Sequence, residues 1–233
     1  MKKRLIALFA AVLMVAMLVP AALAAGQMTL EKEAFLVLPS YGTTVYGYYF
    51  AEIQNTGDTA LKLQDAVLIL KGKEGDELKK REWFSSYPQV INPGESAYIS
   101  VYDYLDTEEA KDEITSYSFD IKGSTKFYLK TTRYATADAA YQLEQGSYSN
   151  RAYVTAVIKN ETGAPCYNPS AVVVLRDAES ELLYVDSTTL YGAGIPAGGE
   201  ILVRVEVNSA IVDHFVDQGI EPASVEVLAY TEE

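Results

Sequence analysis

Alternating apolar and polar positions indicate β-strands along most of the chain after residue 28. In residues 201–207, all four odd positions are isoleucine or valine and fall on one face, with Arg204 and Glu206 on the opposite face. Residues 97–101 alternate in the same register. This period of two is typical of strands with one buried face, and no regular exchange of strands with long helices accompanies it. The pattern favours antiparallel β-sandwiches.

The same order of turns and strands occurs twice. Asn55 and Asn160 each open a turn that ends in glycine, an apolar run follows at 67–70 and at 172–175, and a Pro-Gly turn comes later in each half. Corresponding residues lie 105 positions apart before the loop that ends at Leu78, and 104 apart after it, which is consistent with one deleted loop residue. Because the register survives this deletion, the sequence predicts a tandem duplication of one β-rich domain.

These patterns predict an all-β fold of two tandem immunoglobulin-like antiparallel β-sandwich domains, each with one short helix. The expected domains are 28–127 and 128–233, with the boundary placed near Tyr128 inside an ambiguous stretch at 123–151. The helices are expected at 106–114, where acids fall in the first turn, and at 209–218, where Gly219 follows.

The first 24 residues have the composition of a signal peptide. Lys2, Lys3 and Arg4 precede an apolar run at 5–19, and Ala22 and Ala24 stand at the positions that signal peptidase reads. We therefore expect a secreted, extracellular protein, either released or held at the cell surface. The alternative is an uncleaved anchor, since 5–25 is uncharged and long enough to cross a bilayer.

The charge balance argues against nucleic acid as a partner. The chain has 32 acidic and 19 basic residues and a formal net charge of −13. Loss of the three basic residues in the leader would bring the charge to −16. Such a surface repels phosphate backbones and anionic lipids, so membrane contact is expected only through an uncleaved leader.

Motifs for catalysis and cofactor binding are scarce. Cys166 and His214 are the single cysteine and the single histidine, which excludes an intramolecular disulfide and His-pair metal motifs. No nucleophile elbow, phosphate loop or dinucleotide fingerprint is present, so no catalytic and no cofactor-binding residue is assigned. We expect Cys166 to be a small packing residue and His214 to lie on a surface helix. A pair of acid–base carboxylates stays open as an alternative.

Several short motifs resemble a known module. Val45, Gly47, the 55–58 turn, the charged turn at 71–75 and the Asn-Pro-Gly-Glu at 92–95 are similar to the FxLYD-type modules of secreted bacterial proteins. The resemblance covers 45–101 best and 154–205 more weakly. It implies an immunoglobulin-like sandwich without an established general activity and transfers no catalytic residue. The aromatic strand end that names the module is absent, since residues 68–71 read Leu-Ile-Leu-Lys.

Acidic residues gather after the first Pro-Gly strand. Asp103, Asp106 and Glu108 are the candidate ligands of a Ca²⁺ site, because Ca²⁺ prefers several oxygen ligands within a short loop. Their spacing does not match an EF-hand loop. The alternative is a solvated helix face, and the second half does not repeat the cluster.

Aromatic residues suggest a binding surface in the first half. The chain has 18 tyrosines, which suit both strands and binding surfaces. Trp83, Phe84 and Tyr87 are the candidate binding residues, because they occupy a loop that has Tyr191 as its aromatic counterpart in the second half. We expect a non-enzymatic binding or adhesion-type protein that contacts protein or cell-envelope glycan through loops and exposed aromatics. The alternatives are a carboxylate-dependent extracellular hydrolase and a structural spacer.

Overall fold

The computed structural model describes residues 27–39, 45–105, 114–146 and 150–233. The predicted leader at 1–24 and residues 106–113 of the first predicted helix lie outside these ranges, and Ile114 belongs to neither a helix nor a strand. Within the described ranges the chain forms antiparallel β-strands and one α-helix. The prediction of an all-β antiparallel fold is therefore confirmed, while the immunoglobulin-like assignment of each half stays a prediction.

In the described ranges, the first half of the chain forms seven strands, and the second half forms eight strands and the helix. The first seven are β1 (Met28–Pro39), β2 (Val45–Asn55), β3 (Leu61–Lys71), β4 (Glu77–Arg81), β5 (Val90–Ile91), β6 (Ser96–Tyr104) and β7 (Ser116–Ser124). The remaining elements are β8 (Thr131–Glu144), β9 (Arg151–Lys159), β10 (Cys166–Tyr167), β11 (Ser170–Arg176), β12 (Leu182–Thr189), β13 (Gly194–Ile195), β14 (Glu200–Glu206), α1 (Ser209–Gln218) and β15 (Ser224–Glu232). The predicted boundary near Tyr128 falls in the segment that connects β7 to β8.

The strands of the first half pair in two sheets. One has the order β1-β2-β6, and in the other β3 pairs with β4, β5 and β7. In the second half, β9 pairs with β8 and β14, while β11 pairs with β12 and β15. A separate two-stranded pair joins β10 to β13. The sheets of the first half are therefore centred on β2 and β3, and the corresponding pairings of the second half are centred on β9 and β11.

The pairing registers of the two halves correspond position by position. Leu70 faces Lys79 in β3 and β4, and Leu175 faces Tyr184 in β11 and β12, with a β-bulge directly after the leucine in both. Both members of this pair are offset by 105. The deletion predicted in the loop that ends at Leu78 was therefore placed too early: the offset becomes 104 only between β4 and β5. Sequence comparison missed this because the hairpin strands share little side-chain chemistry.

Strand β8 distinguishes the second half from the first. Its first residues, 131–134, pair with β15, and its residues from Ala135 onward pair with β9, with a register break between Ala137 and Ala140. Asp138 within this break has a φ of 54°. The two sheets of the second half are thereby joined in the order β12-β11-β15-β8-β9-β14, whereas β1 pairs along its length with β2.

Asn55 explains why the first half carries its Asn-Thr-Gly and Pro-Gly turns. This buried side chain donates from Nδ2 to the carbonyls of Thr59 (2.8 Å) and Ile91 (2.9 Å) and accepts from the Gly57 amide at 3.0 Å. Its carbonyl accepts from the amide of Gly94 at 2.8 Å, and Gly94 has a φ of +77°. One asparagine thus satisfies the backbone of two turns that lie almost 40 residues apart.

Asn160 makes the same connections in the second half. Its Nδ2 donates to the carbonyls of Ala164 (2.8 Å) and Ile195 (2.9 Å), and its Oδ1 accepts from the Thr162 amide at 3.1 Å. The amide of Gly198, whose φ is +72°, donates to the Asn160 carbonyl at 2.7 Å. These asparagines are structural residues, because all of their polar groups are used by the backbone.

The buried side chains of the described residues form two hydrophobic clusters, and one of them includes residues of both halves. The smaller cluster lies between the two sheets of the first half and includes Tyr49, Ile53 and Leu68. The larger fills the second half but also includes side chains from β1, β2 and β6, namely Leu38, Tyr48, Phe50 and Tyr98. The outer face of the β1-β2-β6 sheet is therefore buried against the second half.

Helix α1 confirms the prediction for 209–218. Asn208 accepts the Ala210 amide at 3.0 Å as the N-cap, and Gly219 ends the helix in the left-handed conformation at a φ of 65°. Ile211, Val212 and Phe215 are buried on one face. His214 is partly buried on this helix. Strand β14 likewise follows its predicted alternation, with Val203 and Val205 buried and Arg204 and Glu206 exposed.

Candidate functional site

The three aromatic residues predicted to bind lie around one shallow groove of about 530 Å³, here called the aromatic groove. Its lining consists of Arg81, Trp83, Phe84, Ser85, Tyr87, Ser100, Val101 and Tyr102. Strand β4 is an edge of one sheet and β6 is an edge of the other. The segment 82–86 connects these two edges, so the groove lies at the open side of the first half.

Each aromatic residue has a different environment. Trp83 is 88% exposed and stands at the rim. Phe84 is partly buried, with its ring 5.3 Å from that of Phe119 and the Arg81 guanidinium 5.8 Å above it. Tyr87 is also partly buried, and its backbone exchanges two hydrogen bonds with Tyr98, of 2.7 and 3.0 Å. Trp83 is therefore the residue available to a ligand, while Phe84 and Tyr87 shape the site.

Tyr102 forms the opposite wall of the groove. Its side chain is 64% exposed, and its ring lies 6.2 Å from that of Tyr48 and 6.1 Å from that of Tyr46. Sequence reasoning did not select Tyr102, because its strand position is distant in sequence from Trp83. The available signal in the sequence is that Tyr102 lies two residues after Ser100, and therefore on the same face of the strand.

Basic side chains lie beside the groove, although the protein is acidic. The Arg81 guanidinium is 3.5 Å from the Tyr102 carbonyl oxygen and 3.6 Å from Asp103 Oδ2. Lys79 is 3.5 Å from Asp103 Oδ1, and Lys80 forms an ion pair with Glu82. These pairs are partly exposed, so solvent screening keeps each contribution small.

The predicted Ca²⁺ ligands are not brought together by the described residues. Asp103 faces Lys79 and Arg81, which compete with a cation for its carboxylate. Asp106 and Glu108 lie outside the described residues. In the described part of the chain, no group of three His, Cys, Asp or Glu side chains has a geometry suited to a metal ion. A Ca²⁺ site thus stays a prediction.

A second polar cluster lies where the two halves meet. Arg176 donates to Glu52 Oε2 at 2.7 Å and lies 3.9 Å from Glu226, and the Tyr98 hydroxyl donates to Glu226 at 3.2 Å. Burial, followed by the charge of Glu226, raises the pKa of Tyr98. Both carboxylates thus face a guanidinium, and Tyr98 stays neutral. This arrangement joins the halves through charge-assisted hydrogen bonds.

Asp186 is a carboxyl group with a shifted pKa in the same region. Burial raises the pKa of Asp186, although hydrogen bonds from the Ser187 amide (2.7 Å) and the Tyr184 hydroxyl (3.0 Å) oppose the shift. The Tyr184 hydroxyl in turn accepts the Asn208 amide at 3.1 Å. These contacts link β12 to the N-cap of α1.

Cys166 has a structural position. It is buried in β10 and faces Ile195 in the short pairing with β13. Leu61, which faces Ile91, corresponds to it in the first half. Cys166 therefore fills a position that the first half gives to leucine, as expected of a packing residue.

Most of the tyrosines whose side chains the structure describes are buried or partly buried. Those that are buried are Tyr48, Tyr49, Tyr98, Tyr153, Tyr184 and Tyr230. Those that are exposed are Tyr102, Tyr128, Tyr167 and Tyr191. Burial raises the pKa of Tyr49, Tyr184 and Tyr230. Four of the described tyrosines are therefore exposed, and one of these, Tyr102, belongs to the aromatic groove.

Comparisons with known proteins do not assign the chain to a family. No protein-family model and no curated protein matches it. The crystal structure of red sea bream transglutaminase is similar at 10% sequence identity, over 88% of this chain and 30% of the transglutaminase chain, with a TM-score of 0.22. A likeness at this level carries no argument about fold or activity. Across the described residues, no helix is long and apolar enough to cross a membrane.

Proposed function

We propose that the protein is a secreted or cell-surface, non-enzymatic binding protein whose aromatic groove holds a protein or a cell-envelope glycan. The observation that carries this proposal is the Trp83 side chain, which is 88% exposed at the rim of the groove. Removal of a large apolar ring from water by a ligand lowers the free energy of the complex. Tryptophan is also enriched among the residues that dominate binding.

The correspondence between the two halves supports two copies of one immunoglobulin-like module, with a binding site in the first copy. The matching contacts of Asn55 and Asn160 support a common origin. In contrast, the segment of the second half that corresponds to the groove loop, residues 187–193, has Tyr191 as its aromatic residue. The groove is thus a feature of the first half, added to a shared scaffold.

The lining of the aromatic groove supports binding over carboxylate-dependent hydrolysis, because the described residues that line it include no carboxylate. Glu52 and Glu226 lie at the contact between the two halves, where both face Arg176.

The test is retention of a ligand by the purified chain from cell-envelope extract and on a glycan array. Trp83→Ala is expected to abolish retention, because the alanine lacks the ring that a ligand would cover. The free energy of unfolding of this variant should lie within about 0.5 kcal/mol of that of the natural chain, since the Trp83 side chain is exposed. Phe84→Ala is a poorer test, because Phe84 also packs against Phe119.

Tyr191→Ala is the matched control. Tyr191 is 87% exposed and lies in the corresponding segment of the second half, so its loss removes a similar apolar area outside the groove. We expect this variant to retain the ligand. Unchanged retention by Trp83→Ala, or equal losses in both variants, would remove the aromatic groove as the binding site.

A further inference from the structure

We propose that the ligand of the aromatic groove is an extended polypeptide segment, which adds as a strand to the free edge of β6. This inference rests on the proposed binding function and specifies its ligand. It starts from the backbone of β6 rather than from the aromatic side chains, so the two can fail separately.

The register of β2 and β6 shows which backbone groups face outward. Tyr98 lies opposite Glu52, yet its amide and carbonyl bond to Tyr87 on the other side of the strand. Backbone groups that point to one side of a strand recur at every second residue. The amides and carbonyls of Ser100 and Tyr102 therefore also point away from β2, toward the groove.

These outward groups are largely unused. Among the described residues, the amides of Ser100 and Tyr102 have no hydrogen-bond partner, and the Tyr102 carbonyl has a long contact of 3.5 Å with Arg81. Tyr87 shows that this edge accepts a further antiparallel segment, since it already makes a single bridge there. An extended peptide would continue the pairing beyond Tyr98 along β6.

The groove also suits the side chains of such a strand. Trp83 and Phe84 form the wall that faces the β6 edge, and Val101 and Tyr102 belong to β6 itself. One apolar side chain of the peptide would contact Trp83 and Phe84, while the backbone would bond to Ser100 and Tyr102. A glycan could cover Trp83 but would not match the regular spacing of the strand donors and acceptors.

The second half shows how the corresponding edge differs. In β14, Arg204 and Glu206 correspond to Ser100 and Tyr102 and are both exposed. Charged residues on an edge strand discourage pairing with another chain. The β6 edge carries an uncharged serine and a tyrosine at these places, so it lacks this protection.

The probe is a set of random twelve-residue peptides displayed on phage, selected against the purified full chain and then synthesised. Ser100→Pro removes the outward amide without removing a hydrogen bond to β2. We expect it to weaken peptide binding about tenfold or more, because one hydrogen bond is lost and the proline ring enters the site. Ser100→Ala keeps the amide and is expected to change affinity less than about twofold.

A second measurement protects the test against misfolding of Ser100→Pro. Selected peptides are N-methylated at alternating residues, in either of two registers. Strand addition predicts that one register abolishes binding and the other leaves it, because only one set of peptide amides faces β6. Equal effects of the two registers would overturn the proposal.

Other outcomes separate strand addition from the binding function. If envelope ligand is retained through Trp83 but no peptide is selected, strand addition fails and the proposed function stands. If neither ligand is retained, both fail. A dimer that is detected by sedimentation and lost in Ser100→Pro would identify a second copy as the occupant of the edge, which also overturns the peptide proposal.

Discussion

Phe50 in β2 and Thr155 in β9 occupy corresponding positions, but the chain covers them differently. Phe50 is 1% exposed, and its ring lies 5.3 Å from that of Tyr184 in the second half. Thr155 is partly exposed on a sheet face that carries charged neighbours such as Arg204. In contrast, Asn55 and Asn160 have matching contacts. Backbone satisfaction keeps the turns alike, while the outer faces follow whatever packs against them.

The largest expected effect comes from Phe50→Ala. Loss of a buried aromatic ring is expected to lower the free energy of unfolding by about 3–5 kcal/mol. Thr155→Ala, at the corresponding position, should change it by less than about 1 kcal/mol. Urea denaturation measures both. Comparable small effects would show that the first half does not depend on its contact with the second.

Asn55→Ala and Asn160→Ala are expected to destabilise the protein by similar amounts, about 2–3 kcal/mol each. Each substitution leaves a buried carbonyl, of Ile91 or Ile195, without its side-chain donor. Urea denaturation of the two variants gives the comparison directly. A harmless substitution in one half would break the correspondence of the two turns.

Arg176→Met is expected to lower the free energy of unfolding by about 2 kcal/mol. The Glu52 side chain is 16% exposed and would lose its charged partner. Lys71→Met is the matched control, since Lys71 at the end of β3 follows the same bulge as Arg176 at the end of β11. We expect it to lower the free energy of unfolding by less than about 0.5 kcal/mol. A further Glu52→Gln substitution should restore part of the stability of Arg176→Met. If Lys71→Met costs as much, the ion pair is not what distinguishes these positions.

The smallest effect concerns pH. Because burial raises the pKa of Asp186, the folded protein binds the proton more tightly than the unfolded chain. Stability contributed by this proton is complete below the ordinary pKa of 3.8 and is lost as pH rises through the higher folded value. Asp186→Asn should remove this loss. The free energy of unfolding of the variant should therefore rise relative to that of the natural chain as pH increases across this range. Parallel pH curves would contradict the shift.

Local patterns predicted much of the fold. The alternation in β14 and the helix 209–218 with its Gly219 end were both correct, because neighbouring residues decide a strand face and a helix cap. The placement of the deletion in the loop that ends at Leu78 was wrong. It depended on matching apolar side chains, whereas the register of the β3–β4 hairpin is set by backbone pairing.

The candidate site was predicted in part. Trp83, Phe84 and Tyr87 do lie around one groove, since a short loop keeps them together. Ser100 and Tyr102, which we propose bond to a peptide backbone, could not be selected from the sequence, because the proposal depends on the side of β6 that faces away from β2. The sequence likewise has no pattern that joins Glu52 to Arg176, which lie 124 residues apart.

The sequence by itself determined the strands, the turns and the correspondence between halves, because these follow from residue period and from backbone groups that nearby side chains satisfy. Only the tertiary structure decided that Phe50 is buried by the second half, that Asp103 faces two basic residues, and that β6 is an edge strand among the described residues. These features depend on contacts between residues far apart in sequence. Their chemistry is set by the partner as much as by the residue.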